Sequence, residues 1–154
     1  MATSPLPTSL TLEIVTPDRA LVTEDVDEVQ LPGTEGYLGI LPGHTPLLTS
    51  LRVGQVWYRK GTEKFYLSVA FGFAEVLPDR VRLLARIAER AEEIDVARAE
   101  EHRRRAEEMV QAAKAGNADI DLERARVSLM KALTRLQVAG RSSAHAASQA
   151  RKRN

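Results

Sequence analysis

Residues 81–99 read VRLLARIAERAEEIDVARA, and the architecture turns on this stretch. Its first part places Val81, Leu83 and Ala85 at every second position, the spacing that lines one face of a strand. After Arg90 the alternation stops and Ala, Glu and Arg, all good helix formers, take over. A β region therefore ends near Arg90 and a helical region begins.

Upstream, Leu10, Leu12 and Ile14 alternate with Thr11 and Glu13, and further runs appear at Val29 with Leu31, Phe65 to Val69, and Phe71 to Val76. Turn-forming pairs punctuate them: Pro17-Asp18, Pro32-Gly33, Pro42-Gly43, Lys60-Gly61 and Pro78-Asp79. No helix-length pattern separates the runs, so residues 10–91 are expected to form a sandwich or barrel and not βαβ units. Downstream, Gly and Pro vanish until Gly116. The spacing predicts a first helix over about 96–115 with a thin apolar face: Val96, Ala99, Ala106, Val110 and Ala113. A second helix is expected over about 122–138, where Leu122, Ala125, Leu129, Leu133 and Leu136 recur at three- and four-residue steps. Gly116-Asn117 suits a left-handed helix end, and the short link favours an antiparallel hairpin spanning 92–139. Residues 1–9 are expected to be flexible, and residues 140–154, basic and without an apolar stripe, to be disordered.

Of the 154 residues, 44% are hydrophobic and 28% charged, the balance of a folded soluble chain, while 5% aromatic content requires a mostly aliphatic core. The absence of cysteine excludes disulfides, thiolate metal sites and a cysteine nucleophile. No run approaches the about eighteen apolar residues of a membrane span, and residues 1–12 lack the pattern of a signal peptide. Charge is uneven: residues 1–138 carry 18 basic and 21 acidic side chains, residues 139–154 four basic and none acidic.

Catalytic chemistry is not in view. His44, His102 and His145 fall in a turn, on a charged helix and in the tail, with no partner at metal-ligand spacing. There is no phosphate-binding glycine loop and no Gly-x-Ser-x-Gly elbow. Neighbouring acids such as Glu100-Glu101 and Glu107-Glu108 diverge by about 100° around a helix, which suits solvated surface. An enzyme is not expected.

One pattern occurs twice, Ile94-Asp95-x-x-Arg98-Ala99 and Ile120-Asp121-x-x-Arg124-Ala125, at the entrance of each helix. An aspartate N-cap accepts a backbone N–H of the first turn and favours the positive end of the helix dipole. Ile at N′ and Ala at N4 then occupy the positions of a hydrophobic staple. Capping alone accounts for both copies.

Residues 35–48 read EGYLGILPGHTPLL and resemble the hallmark E-G-x-L-G-I-x-P-G-H-x-P-L-L of the epsilon subunit of F-type ATP synthases. The resemblance continues through Leu12 to Val15, Phe65 to Val76 and Ile94 to Val138. It implies an α+β fold, an N-terminal antiparallel β-sandwich of ten strands followed by a C-terminal antiparallel two-helix hairpin. It also implies a non-catalytic rotor subunit of a proton-translocating complex, peripheral on the cytoplasmic face of the bacterial inner membrane. The sandwich would couple the c-subunit ring to the gamma subunit, with Glu35, Tyr37, Leu38 and His44 as ring or gamma contacts. Family members often carry an acid where this chain has Tyr37. The hairpin would extend beside gamma into the head of alpha and beta subunits and inhibit ATP hydrolysis, with Arg104, Arg105, Arg126, Lys131 and Arg135 meeting acidic surface on beta.

No cofactor is required, but some bacterial members bind regulatory ATP through Ile/Leu-Asp-x-x-Arg-Ala. The matching set here is Glu89, Ile94, Asp95, Arg98, Ala99, Arg105, Lys131 and Arg135. Lys131 stands where an arginine is expected and lacks the planar fork that grips phosphate. Two rival readings are a nucleic-acid-binding adaptor and a stand-alone ATP-sensing module. The first fits poorly with the acidic excess of residues 1–138.

Overall fold

The computed structural model describes residues 4–152, with side chains described throughout except at 143–147. Eight strands come first: β1 (Leu10–Val15), β2 (Ala20–Val26), β3 (Glu28–Gly33), β4 (Gly36–Ile40), β5 (Leu47–Leu51), β6 (Gly54–Lys60), β7 (Glu63–Leu77) and β8 (Arg80–Arg90). A 3-10 turn (Ala91–Glu93) leads to helices α1 (Val96–Lys114) and α2 (Leu122–Lys152). The chain divides into two compact units at Arg90/Ala91.

In the first unit the hydrogen-bonded order is β2-β1-β8-β7-β5-β3-β4, with β6 bridging β3 and β7. All pairs are antiparallel except β1 with β8, the first and last strands, which run parallel. The path folds back on itself: Lys60 Nζ on β6 donates to Glu24 Oε2 on β2 at 3.0 Å, and Gly61 N donates to Asp27 Oδ2 at 2.7 Å. The predicted alternation is realised on β1, where Leu10, Leu12 and Ile14 are fully buried while Thr11, Glu13 and Val15 are half-buried. They join Val29, Leu31, Val56, Val69, Val81 and Leu83 in one aliphatic core. Burying each such side chain contributes about 1.5–3 kcal/mol before entropy is charged against it. Tyr58 is the one large aromatic inside, stacked on its cross-strand partner Phe65 at 5.0 Å.

The ten strands implied by resemblance are eight here, because β7 serves two partners. Its C-terminal half pairs with β5 (Leu51↔Gly72) and its N-terminal half with β6 (Gly54↔Val69), in one register broken only at Arg52–Val53. Opposite that break β7 bends through two positive-φ residues, Phe71 (φ 63) and Gly72 (φ 120). Gly72 is required there, since a Cβ would lie 2.0 Å from the Leu84 carbonyl oxygen on β8.

The second unit is the expected antiparallel hairpin, and both aspartates cap as the repeat predicts. Asp95 Oδ1 accepts from Arg98 N and Asp121 Oδ1 from Arg124 N, each at 3.1 Å. Helix α1 ends in a Schellman motif: Gly116 (φ 97) donates to Ala113 O at 3.2 Å and Asn117 N to Ala112 O at 3.1 Å. On α1 the buried residues are Ala99, Ala106 and Val110, while Val96 is 52% exposed. On α2 the buried residues include Ala125, Ala132, Thr134, Val138 and Ala139, while Leu133 is 47% exposed. Sequence spacing assigned both Ala125 and Leu133 to the buried stripe; Ala125 is buried as expected, whereas the shorter Ala132 and Thr134 are buried in place of Leu133.

Helix α2 also runs past its expected end near Val138 as far as Lys152. The expectation of disorder over 140–154 is therefore overturned for residues 140–152, and 153–154 lie outside the described residues. The physical reason is propensity: after Gly140 the segment holds four alanines, Gln and Arg with no proline, so α2 propagates without needing an apolar stripe. Residues 4–9 carry no regular element, and 1–3 lie outside the described residues.

Candidate functional site

The β3–β4 hairpin tip carries the residues singled out for partner contact, and its surroundings hold it in place. Thr34 N donates to Ser50 O at 3.1 Å and Arg52 N to Pro32 O at 3.0 Å, tying the tip to the β5–β6 break. The Tyr37 hydroxyl accepts from Gln55 N at 3.3 Å, and the Arg52 guanidinium lies over the Tyr37 ring, 4.9 Å from its centroid. Gly54 allows this closeness, because a Cβ there would lie 2.6 Å from Pro32 Cβ and 3.0 Å from the Tyr37 oxygen. Glu35 is exposed in the turn, and Tyr37 is 47% exposed. Leu38 instead packs against the core. His44 is half-buried in the next turn, where its Nδ1 donates to Thr45 O at 2.6 Å. Sequence reasoning missed Arg52, Gly54 and Gln55 as neighbours of the tip, since only strand pairing brings them to Tyr37.

In the second unit the cations chosen for contact with a partner are engaged by acids of their own helices. Arg104 bonds Glu101 at 2.9 Å and Glu108 at 2.8 Å, Arg105 bonds Glu101 at 2.8 Å, and Arg126 bonds Glu123 at 2.6 Å. Arg103 likewise bridges Glu100 and Glu107, each at 2.8 Å. The Arg104 and Arg105 donors hold the Glu101 carboxyl below the usual carboxylate range, and Glu101 in turn raises Arg104 above its ordinary value. Lys131 and Arg135 are half-buried on α2. Of the repeated motif, Ile94 and Ala99 are buried and Asp95 is committed to the cap, leaving Arg98 exposed at the third helical position. Glu89 belongs to β8 in the first unit, whereas the other members of the set belong to the second.

The sequence profile described as "ATP synthase, Delta/Epsilon chain, beta-sandwich domain" matches residues 9–91, and that of the long alpha-helix domain of the same chains matches residues 92–140. This chain belongs to the ATP synthase delta/epsilon family. An ATP synthase epsilon chain of Koribacter versatilis is 57% identical over 99 residues, 64% of this chain and 70% of the relative. Epsilon chain 2 of Syntrophotalea carbinolica is 46% identical over 132 residues, 86% of this chain and 94% of the relative. Among solved structures, a chain of the Euglena gracilis mitochondrial ATP synthase, determined with OSCP, F1 and c-ring, shares the fold with a TM-score of 0.72. That chain is 22% identical, the match covering 84% of this chain and 80% of that one.

Within the delta/epsilon family frame, the division at Arg90/Ala91 falls one residue from the junction of the two matched domains. The helical domain of the family ends at residue 140, so the last twelve described residues of α2 extend beyond it. No helix among the described residues is long and apolar enough to cross a membrane.

Proposed function

We propose that this chain is the non-catalytic central-stalk subunit that couples the c-subunit ring to gamma, and that its helical hairpin restrains ATP hydrolysis by the alpha–beta head. In this reading the complex translocates protons and the chain sits peripherally on the cytoplasmic face of the bacterial inner membrane. The observation that carries the reading is the division of a delta/epsilon chain into two units with different kinds of cohesion. The first has a continuous aliphatic core and a pinned hairpin tip, the properties of a coupling piece. The second buries only Ala99, Ala106 and Val110 of α1, and the ion pairs of Arg103, Arg104 and Arg105 are internal to that helix. A helix that carries its charge partners with it and buries small side chains gives up little when it changes position.

The test compares ATP hydrolysis by the cognate head with gamma in the presence of the full chain and of a chain ending at Glu92. Faster hydrolysis with the shorter chain supports the brake. Equal rates remove the brake while leaving the coupling role, which is read separately from retention of the shorter chain in the complex.

Regulatory ATP belongs to the same reading. The support is Arg98, whose exposed guanidinium has no counter-ion among the described residues. It would meet phosphate with Arg105 once Glu101 is displaced, while Asp95 stays on the cap. Calorimetry of the isolated chain with ATP, repeated with Arg98→Ala, decides the point. Heat lost in the variant supports it, and no heat up to millimolar ATP overturns it.

A further inference from the structure

We propose that α1 is a self-supporting rod, a helix that keeps its backbone hydrogen bonds when its buried contacts are lost, so that it shifts by undocking and not by melting. The proposal rests on the brake reading above and deepens it. Three observations carry it. First, α1 has 19 residues, and all except Val96, His102 and Val110 are Ala, Glu, Arg, Lys, Gln or Met, which are strong helix formers. Isolated helices become marginal below about 12–15 residues, and this one is longer. Second, both ends are closed by residues next to the helix: Asp95 Oδ1 accepts from Arg98 N at 3.1 Å, and Asn117 N donates to Ala112 O at 3.1 Å. Third, its arginines clasp acids on the neighbouring turns. Arg103 meets Glu100 and Glu107, each at 2.8 Å, Arg104 meets Glu101 at 2.9 Å and Glu108 at 2.8 Å, and Arg105 shares Glu101 at 2.8 Å.

What α1 takes from its surroundings is small by comparison. Its buried residues are Ala99, Ala106 and Val110, whereas the larger Met109 stays 43% exposed. Undocking therefore exposes mainly two alanines and a valine and breaks no hydrogen bond within the helix. Melting would surrender the helical hydrogen-bond ladder and every ion pair between Glu100 and Glu108 at once. A rigid shift is the smaller loss, and it is the kind of motion in which packed elements change place intact.

The test measures amide hydrogen exchange in the full chain at neutral pH and low salt. Ala99→Gln, Ala106→Gln and Val110→Gln together remove the buried side chains of α1 while keeping a good helix former at each position. Expected in this packing variant is protection of residues 100–108 that stays about tenfold above that of the unfolded chain. Adding Glu101→Gln and Glu107→Gln, which removes three of the ion pairs, lowers that protection about fivefold, a larger drop than the same two changes cause in the wild type. Molar salt reproduces part of the drop. Strand amides keep wild-type exchange throughout, because none of the five residues lies in the first unit. Protection that falls to the unfolded value in the packing variant overturns the proposal, since packing then makes the helix. Protection that stays high and ignores the two glutamate changes overturns it as well, since the ion pairs then do not sustain α1. The brake reading fails separately, by equal hydrolysis with the full and the shortened chain, and that result leaves the rod standing.

Discussion

At the residue scale, the first unit depends on one glycine more than on any single apolar side chain. Gly72 combines φ 120 with a would-be Cβ only 2.0 Å from the Leu84 oxygen, and that oxygen belongs to a paired strand that cannot retreat cheaply. Gly72→Ala is expected to destabilise the sandwich by about 3 kcal/mol, read as a lower urea midpoint at unchanged slope. The helix caps are a smaller and independent effect. Asp95→Ala and Asp121→Ala each remove one bond to a first-turn N–H, at about 1 kcal/mol apiece. Faster amide exchange confined to the second unit checks this, and a sandwich transition lowered to the same degree would contradict it. The Ile-Asp-x-x-Arg-Ala repeat was thus readable from sequence as capping chemistry, because a cap is a local bond. The Tyr37–Arg52 pair was not, because no local pattern links residues on different strands.

At the element scale, the arginines of α1 are paired with acids of the same helix. Glu101 receives Arg104 and Arg105, which keep its carboxyl below the ordinary range. A depressed folded value means that the stabilisation is fully present above the unfolded value of about 4.3 and is lost as pH falls through the lower folded value. Acidification from neutral pH to about pH 3 should therefore loosen residues 100–108 before the sandwich unfolds, seen as reduced amide protection after correction for intrinsic exchange. Since these pairs are exposed, molar salt should reproduce part of the loss at neutral pH. Protection of α1 that ignores both pH and salt would show that packing on α2 dominates. Helix α2 teaches the complementary lesson. Its apolar stripe marked a helix through 138, whereas the rest of it, through Lys152, rests on alanine-rich propensity that a search for buried faces does not register.

At the scale of the whole molecule, the two units differ in what sustains them. A chain ending at Glu92 keeps every strand and every residue of the aliphatic core. Its thermal transition is expected to stay cooperative, with near-wild-type aromatic circular dichroism from the stack of buried Tyr58 on partly buried Phe65. Loss of cooperativity in this shorter chain would mean that the hairpin is part of the folding unit, which would also weaken its role as a movable brake.

The sequence by itself determined the switch from strand to helix at Arg90, the two capped helix entrances, the glycine-ended turn between them and, through residues 35–48, the family. These are properties of local periodicity, of side chains reaching their own backbone, and of a motif long enough to be specific. Only the tertiary structure decided that β7 serves two partners in a single register, and that short residues of α2 face inward in place of Leu133. Each of these depends on which surfaces meet, and a strand's pairing or a helix's rotation is settled by the neighbour it packs against.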